Sequence, residues 1–188
     1  DQPVELAANR WTNEAGRSIE VSQLRSSLHA GTHLDAPRHM LPAGAAIDAF
    51  PLSGCLRPAR VVAAGRSGSI TLAEVAGLAG PEPVLFRTRP APPPGSFPTD
   101  FPGLAPDAAR HLAAIGIRLV GTDAPSVDPF DSAELPAHHI LFEAGVYILE
   151  NLRLDHVSPG SYLLLLAPLP LAEAEASPVR ALLAEIGE

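Results

Sequence analysis

Apolar and polar residues follow one another along this chain in short patterns that predict strands and helices in turn. Ile19 and Val21 stand at strand spacing within residues 18–28, and residues 146–149 form an apolar run that ends at Glu150. Thr71 followed by Glu74 is a capping-box pattern, which begins a short helix. We predict strands over residues 18–28, 60–64, 83–88, 118–121 and 146–149, and short helices over residues 71–77, 106–115 and 136–143. Strands that alternate with helices favour an α/β fold.

Four segments are less regular. Proline and glycine interrupt residues 40–57, which predicts a loop with a helical turn. The prolines crowded into residues 90–103 predict a surface loop, with a lid over a site as the alternative. The apolar run 162–171 is broken by two prolines and is typical of a buried strand that leads into a loop, and residues 173–188 fit either a helix or a last strand.

Composition limits the class of protein. With 188 residues the chain is long enough to bury a substantial core, and we interpret residues 1–188 as a single domain. The net charge of −8 argues against nucleic acid as a partner, because a nucleic-acid-binding surface needs a basic patch. No run approaches the ~20 apolar residues of a membrane span, so we expect no membrane partner. The one cysteine, Cys55, rules out an internal disulfide, predicts a cytoplasmic protein and is interpreted as a small core residue.

Residues 29–39, with the sequence His-Ala-Gly-Thr-His-Leu-Asp-Ala-Pro-Arg-His, concentrate groups that bind divalent metals. These groups are His29, His33, Asp35 and His39, and neutral imidazole and carboxylate are ligands that hold zinc and similar ions. On a helix His29 and His33 could align while Asp35 pointed elsewhere, whereas in a turn after a strand all four could converge. The motif therefore predicts the site of a metal-dependent hydrolase.

An ion held by these residues needs more ligands, and candidates follow about a hundred residues later. His138 and His139 are adjacent at the start of a predicted helix. Glu150 closes an apolar strand, where a carboxylate is costly unless it is exposed or paired with a cation. A surface histidine pair and an exposed strand end are the ordinary alternatives, but in combination with the first motif the ligand interpretation is favoured.

A second polar turn, Gly-Thr-Asp-Ala-Pro-Ser-Val-Asp-Pro at residues 121–129, follows another predicted strand. Sites collect at the strand ends of open α/β sheets, so Asp123 and Ser126 are candidates to orient ligands or substrate. Aspartate and serine beside proline are also frequent turn formers, and this alternative stays open. We interpret His111 and His156 as structural or exposed.

The pattern His-x-Gly-Thr-His-x-Asp-x-Pro-x-His resembles the signature of the cyclase family of metal-dependent hydrolases. Residues 121–129, 148–150, 167–171 and 176–180 are similar to one branch of this family, the bacterial kynurenine formamidases. Isatin hydrolases share the first motif and are the nearest alternative. The similarity runs from about Ser18 to Arg180, which is nearly the whole chain.

This resemblance implies a role for each matching residue. His29, His33 and Asp35 match the first metal-binding cluster, and Asp35 and Glu150 match the two metal-bridging carboxylates. His138 rather than His139 matches the remaining ligand, because it lies twelve residues before Glu150 as in the family pattern. His39 matches the catalytic acid/base. The resemblance also implies two divalent ions per site, Zn²⁺ in preference to Mn²⁺, a homodimer, and an α/β fold of the swivelling β/β/α type with a mixed sheet curled into a barrel-like core flanked by helices.

The activity implied is hydrolysis of the linear amide bond of N-formyl-L-kynurenine to L-kynurenine and formate, a step of tryptophan degradation. Isatin, or another cyclic amide or arylformamide, is the alternative substrate, and a metal-containing binding protein without catalysis is the alternative of another class. A structural zinc domain is disfavoured, since it expects a closed set of four ligands, usually with cysteines. We hypothesise that Asp123 accepts a hydrogen bond from the second ring nitrogen of a ligand histidine.

The sequence departs from the family pattern at its N-terminus. Family members carry a substrate-contacting tryptophan well upstream of the first ligand, and the equivalent position precedes Asp1 here. Trp11 lies too close to His29 to be its equivalent, and we interpret it as core or interface packing. We therefore expect this chain to lack the N-terminal arm.

Overall fold

The computed structural model describes residues 4–66, 68–88 and 97–185. Numbered along the chain, the strands in these ranges are β1 (Glu5–Thr12), β2 (Ser18–Arg25), β3 (His33–Asp35), β4 (Leu56–Ala63), β5 (Ser69–Ile70), β6 (Val84–Arg87), β7 (Gly103–Leu104), β8 (Leu119–Thr122), β9 (Tyr147–Glu150), β10 (Gly160–Leu166), β11 (Ala176–Pro178) and β12 (Ala181–Glu185). The α-helices are α1 (Leu72–Val75), α2 (Pro106–Ala114) and α3 (Pro136–Glu143), and three 3₁₀ turns cover Pro37–His39, Ile47–Ala49 and Leu52–Gly54.

The main sheet is mixed and has the strand order β11-β3-β9-β8-β6-β4-β10-β12. Its four central strands, β9, β8, β6 and β4, are parallel to their neighbours in this group, and the flanking strands pair antiparallel. The sheet curls into a half-barrel with helices beside it, which confirms the predicted α/β fold with a mixed, curled sheet.

Three of the central strands, β6, β8 and β9, are buried on both faces because their residues alternate between two apolar clusters. Val84 and Phe86 of β6 pack with α2 and α3 on one face, whereas Leu85 packs on the opposite face with residues of β10. In β9, Ile148 faces the helices and Leu149 faces the second cluster. The helix-bearing face is the one on which the ligand candidates lie.

Most predicted elements are confirmed with shifted bounds. The strand predicted over residues 18–28 is β2, but it ends at Arg25 and forms only a separate hairpin with β1. The ligand candidates His33 and Asp35 belong to the next strand, β3. The ambiguous segment 173–188 contains two short strands, β11 and β12. Residues 90–96, half of the surface loop predicted over residues 90–103, lie outside the described residues.

The interpretation of Cys55 as a core residue is wrong, and one of the two alternatives for Trp11 is excluded. Cys55 is only half-buried at the end of a 3₁₀ turn and is not part of either core cluster. Trp11 lies on β1 with 49% of its surface exposed, which excludes a role in the core. Its interface role stays a prediction.

Candidate active site

Two paired strands, β3 and β9, carry three of the ligand candidates. They are antiparallel, and His33 lies directly opposite Glu150. Because alternate residues of a strand share a face, His33 and Asp35 project to the same side, and Leu34 between them packs in the core. Sheet register therefore brings together side chains that are far apart in the sequence.

The chain paths beside this pair are fixed by local turns. Gly31 has a φ of 68°, a left-handed conformation that glycine adopts without a Cβ penalty, and it directs the chain into β3. Asn151, with a φ of 56°, ends β9 immediately after Glu150. The Thr32 hydroxyl donates a hydrogen bond of 2.7 Å to the Asn151 carbonyl and ties the two turns together.

The site is a row in which imidazole rings alternate with carboxylates. Asp35 Oδ1 lies 3.0 Å from His29 Nδ1 and 3.4 Å from His33 Nε2. The two oxygens of Glu150 face different histidines, with Oε2 at 3.4 Å from His33 Nε2 and Oε1 at 3.4 Å from His138 Nε2. Each carboxylate thus lies between two histidines, which is the arrangement that a bridging ligand requires.

Two atoms at the centre of this row are buried without a hydrogen-bond partner. Among the described residues, buried side-chain polar atoms that lack a partner are His33 Nε2, Asp35 Oδ1 and, in α2, His111 Nε2. Such atoms are costly in a folded protein unless a bound group satisfies them. Ligand atoms of His33, Asp35 and Glu150 lie within 4.8 Å of one another, and nitrogen and oxygen donors of this kind suit zinc or manganese. The residues therefore fit a divalent metal ion.

His138 comes from α3 and is held by a residue that the sequence analysis did not assign. The buried carboxylate of Asp128 lies 2.7 Å from His138 Nδ1 and accepts hydrogen bonds from the backbone N–H groups of Ala137 and His138, each at 2.9 Å. These bonds occupy the first turn of α3 and leave His138 Nε2 directed towards Glu150. Neither His138 nor His139 is in a metal-ligating group that the described residues form, and the contact of His138 with Glu150 is what places it beside the site.

His39 lies at the mouth of the site, at the end of the 3₁₀ turn Pro37–His39. Its ring centroid is 4.5 Å from that of His29 and 6.1 Å from that of His138. The residue is open to solvent on one side, and desolvation of its ring lowers its pKa below the ordinary histidine value. Atoms of His29, Asp35 and His39 also lie within 4.8 Å of one another, so the geometry permits His39 either as a ligand or as a proton carrier beside the ligands.

The carboxylates of this row favour the protonated, positively charged forms of its buried histidines. Burial by itself lowers the pKa of His33, but Asp35 and Glu150 outweigh burial and raise this pKa to about 10. Burial likewise opposes the charged form of His138, and Asp128 and Glu150 raise its pKa to about 9. Burial disfavours the carboxylate of Asp35, yet His29 and His33 hold its pKa well below the usual range. Without a metal, protons supply the positive charge.

The six residues that the resemblance selected therefore come together, namely His29, His33, Asp35, His39, His138 and Glu150. Asp123 is buried, and its carboxylate accepts hydrogen bonds from the backbone and hydroxyl of Thr88. The carboxylate that contacts the ring of the ligand candidate His138 is that of Asp128. The Ser126 hydroxyl accepts a hydrogen bond from the Asp128 N–H at 3.1 Å, so it contacts the turn that supports the site.

Sequence reasoning missed two carboxylates. Asp128 lies in the second polar turn, eight residues before the helix that begins at Pro136, which is too far from the helix start for the sequence to indicate a cap. Glu175 Oε1 lies 3.5 Å from His29 Nε2, and the backbone of Glu175 accepts a hydrogen bond from Ala36. Nothing in the sequence around Glu175 indicates this position.

A cluster of imidazole and carboxylate groups at the carboxyl end of β9 defines a metal-binding α/β protein of the hydrolase type. The model of the Cyclase family matches residues 2–129, and the chain belongs to this family. No helix among the described residues is long and apolar enough to cross a membrane.

Named relatives extend this likeness. A kynurenine formamidase of Bacillus cereus is 42% identical over 178 residues, which are 94% of this chain and 85% of that protein. A solved structure described as a predicted metal-dependent hydrolase from Bacillus stearothermophilus is 35% identical with a TM-score of 0.78, over 95% of this chain and 86% of that one. Isatin hydrolase A from Labrenzia aggregata is 26% identical with a TM-score of 0.82, over 95% of this chain and 81% of that one.

Proposed function

We propose that this protein is a metal-dependent amide hydrolase that converts N-formyl-L-kynurenine and water to L-kynurenine and formate. The observation that carries the proposal is the row of histidines and carboxylates with two buried atoms, His33 Nε2 and Asp35 Oδ1, that lack partners. The choice of an arylformamide as substrate is supported by relatives that are 42% identical over most of the chain and are named kynurenine formamidase.

We propose that the site holds two divalent ions, Zn²⁺ in preference to Mn²⁺. His29 and His33 would serve one ion and His138 the other, with Asp35 and Glu150 as bridging carboxylates. This assignment is supported by the two oxygens of Glu150, which face His33 and His138 separately. When bound, such ions polarise the carbonyl oxygen of the substrate and lower the pKa of water towards neutrality.

His39 is the proposed proton carrier. Its lowered pKa keeps the imidazole neutral at pH 7, so that it accepts the proton of the attacking water as the new C–O bond forms at the formyl carbon. The imidazolium then donates this proton to the amide nitrogen as the C–N bond breaks. The aryl amine leaves as a neutral group, and the formyl carbon leaves as formic acid, which releases the second water proton to solvent and becomes formate.

Isatin hydrolysis is the second candidate function. It is favoured by the structural likeness to isatin hydrolase A, whose TM-score of 0.82 exceeds that of the Bacillus stearothermophilus structure. The chemistry at the ions and at His39 would be the same, because isatin is also an amide, and the difference lies in a cyclic rather than a linear substrate. A metal-containing binding protein without catalysis is disfavoured, since the proton carrier is retained beside the ligands.

We further propose that the protein is a cytoplasmic homodimer. The free thiol of Cys55 suits a reducing compartment. The hairpin of β1 and β2 forms a sheet of its own, and a two-stranded hairpin has little stability in water by itself. Its exposed apolar residues include Trp11 on one face and Leu24 on the other, and a second copy of the chain would cover one of these faces.

The function is tested by elemental analysis together with hydrolysis of N-formylkynurenine and of isatin, each followed by absorbance. We expect bound zinc or manganese and a higher kcat/KM for N-formylkynurenine. Glu150→Ala should lose metal and activity together, whereas Glu143→Gln, an exposed glutamate on α3, should change neither. Full metal content in the Glu150 variant would contradict the role of Glu150 as a bridging carboxylate. A higher kcat/KM for isatin would make isatin, not N-formylkynurenine, the substrate.

A further inference from the structure

The turn at residues 126–128, between β8 and α3, contacts both groups that the proposed function assigns to one ion. The Val127 N–H donates a hydrogen bond of 2.9 Å to Glu150 Oε1, and Asp128 Oδ2 lies 2.7 Å from His138 Nδ1. Glu150 Oε1 is also the oxygen that faces His138 Nε2 at 3.4 Å. One turn therefore orients a histidine and the carboxylate oxygen next to it.

Asp128 is placed to act through His138 and not on substrate. It is completely buried, and its oxygens accept three hydrogen bonds, all from the first turn of α3. An ionised carboxylate only accepts hydrogen bonds, so His138 Nδ1 must carry the proton. When an ion displaces the proton of His138 Nε2, the lone pair of that nitrogen is left on the side of Glu150, which is the tautomer that a metal ligand needs.

His33, the other buried histidine of the site, has a weaker hydrogen-bond acceptor at its Nδ1 atom. His33 Nδ1 donates a hydrogen bond of 2.9 Å to the carbonyl of Gly31, which is a neutral acceptor. A carboxylate accepts a stronger hydrogen bond from a histidine N–H than a carbonyl does. It therefore better stabilises an imidazole that donates electron density to a metal ion. The two halves of the site are thus supported by different groups, and the 126–128 turn contacts only the half that contains His138 and Glu150 Oε1.

From this geometry we infer that the 126–128 turn sets the affinity of one ion, the one held by His138 and Glu150, with Asp128 as the positioning residue. The inference rests on the proposed metal centre. It predicts that the two ions respond separately to changes in the turn. In Asp128→Asn, the amide NH₂ replaces one acceptor oxygen and must face at least one of the N–H donors of α3. If it faces the His138 ring, it favours the opposite tautomer of His138, with the proton on Nε2.

The experiment measures zinc and cobalt binding to the metal-free protein by calorimetry, with the visible absorption of bound Co²⁺ as the spectroscopic readout. We expect Asp128→Asn to bind one ion about 10–100-fold more weakly and the other ion as the wild type does. The Co²⁺ absorption of the affected half should be lost at concentrations that saturate the wild type. Asp107→Asn is the matched control, because Asp107 is an exposed aspartate that accepts a hydrogen bond at the start of α2 and belongs to no metal-ligating group of the described residues, and it should leave both affinities unchanged.

Equal affinities in Asp128→Asn and the wild type, or equal weakening of both ions, would overturn the inference and leave the proposed function standing. A wild-type protein that binds no divalent ion would overturn the proposed function, and the inference with it. If Asp128→Asn does not fold, the same titration of Ser126→Ala tests the inference. This variant removes only the hydroxyl that accepts a hydrogen bond from the Asp128 N–H. This variant should weaken the same ion by a smaller factor, and unchanged binding of both ions would contradict the inference.

Discussion

At the scale of single residues, neighbouring carboxylates determine the charge of the site. His33 and His138 are buried, and burial alone would make both rings neutral. Asp35, Glu150 and Asp128 reverse this outcome by pairing with them. The metal-free site therefore holds protons at positions that a divalent ion would occupy.

Metal binding should consequently release protons. With pKa values of about 10 for His33 and about 9 for His138, both rings are protonated at pH 7.5 in the metal-free protein. An ion must displace these protons, so its apparent affinity should rise with pH up to this range. Calorimetric titration with Zn²⁺ in buffers of different ionisation enthalpy measures the protons released. Release of none at pH 7.5 would show that these rings are neutral before the ion binds.

His39 should affect turnover without affecting metal content. Its pKa is lowered by desolvation, so the neutral form that accepts a proton persists as the pH falls below the ordinary histidine pKa, and kcat/KM should decline only at lower pH. His39→Ala should keep the metal, lose activity by about 10²–10⁴-fold and lose this acidic limb of the pH profile. Elemental analysis separates the two roles that the geometry permits, because loss of metal would make His39 a ligand.

At the scale of elements, patterns within a short stretch of chain were predictable. The capping box at α1 is present as the sequence indicated, with the Thr71 N–H donating to Glu74 Oε2 at 2.8 Å. The predicted helix 136–143 has the same bounds as α3. The role of the turn before α3 was not predictable, because Asp128 and His138 meet only when the turn folds back on the helix start.

Glu74 provides a test at this scale. It also accepts a hydrogen bond of 2.9 Å from the Gly65 N–H, and these bonds outweigh burial and lower its pKa. Glu74→Ala should reduce the free energy of unfolding by about 1 kcal/mol without loss of metal, and Glu74→Gln, which keeps one acceptor oxygen, should cost less. The stabilisation is complete above the ordinary glutamate pKa and is lost as the pH falls through the lower pKa of the folded state. Denaturant unfolding at several pH values measures it, and equal stabilities would contradict the prediction.

At the scale of the whole molecule, the site joins distant parts of the chain and the hairpin extends away from it. His33 and Glu150 are more than a hundred residues apart and become neighbours through the pairing of β3 with β9. The hairpin of β1 and β2 is exposed along almost its whole length. The main sheet therefore accounts for the site, whereas large apolar residues of the hairpin such as Leu6, Trp11 and Leu24 stay exposed.

Variants of the hairpin should change the oligomeric state. Trp11 and Leu24 lie on opposite faces of the hairpin, since Trp11 pairs with Ile19 and Leu24 pairs with Leu6. The face that a second copy covers should be revealed by whichever of Trp11→Ser and Leu24→Ser shifts the protein from dimer to monomer in analytical ultracentrifugation. Leu52→Ser is the control, because Leu52 is 89% exposed on a 3₁₀ turn outside the hairpin. A dimer that persists in both variants would remove the hairpin from the interface.

The sequence by itself determined the local elements and the chemical nature of the site. The spacing of His29, His33, Asp35 and His39 indicated metal chemistry because ligand type depends on residue identity alone. Only the tertiary structure decided which atoms meet. Register between β3 and β9 sets the His33–Glu150 pair, and the fold of the 126–128 turn selects Asp128, not Asp123, as the partner of His138. These choices depend on pairing between segments far apart in the chain, which residue patterns within a segment do not encode.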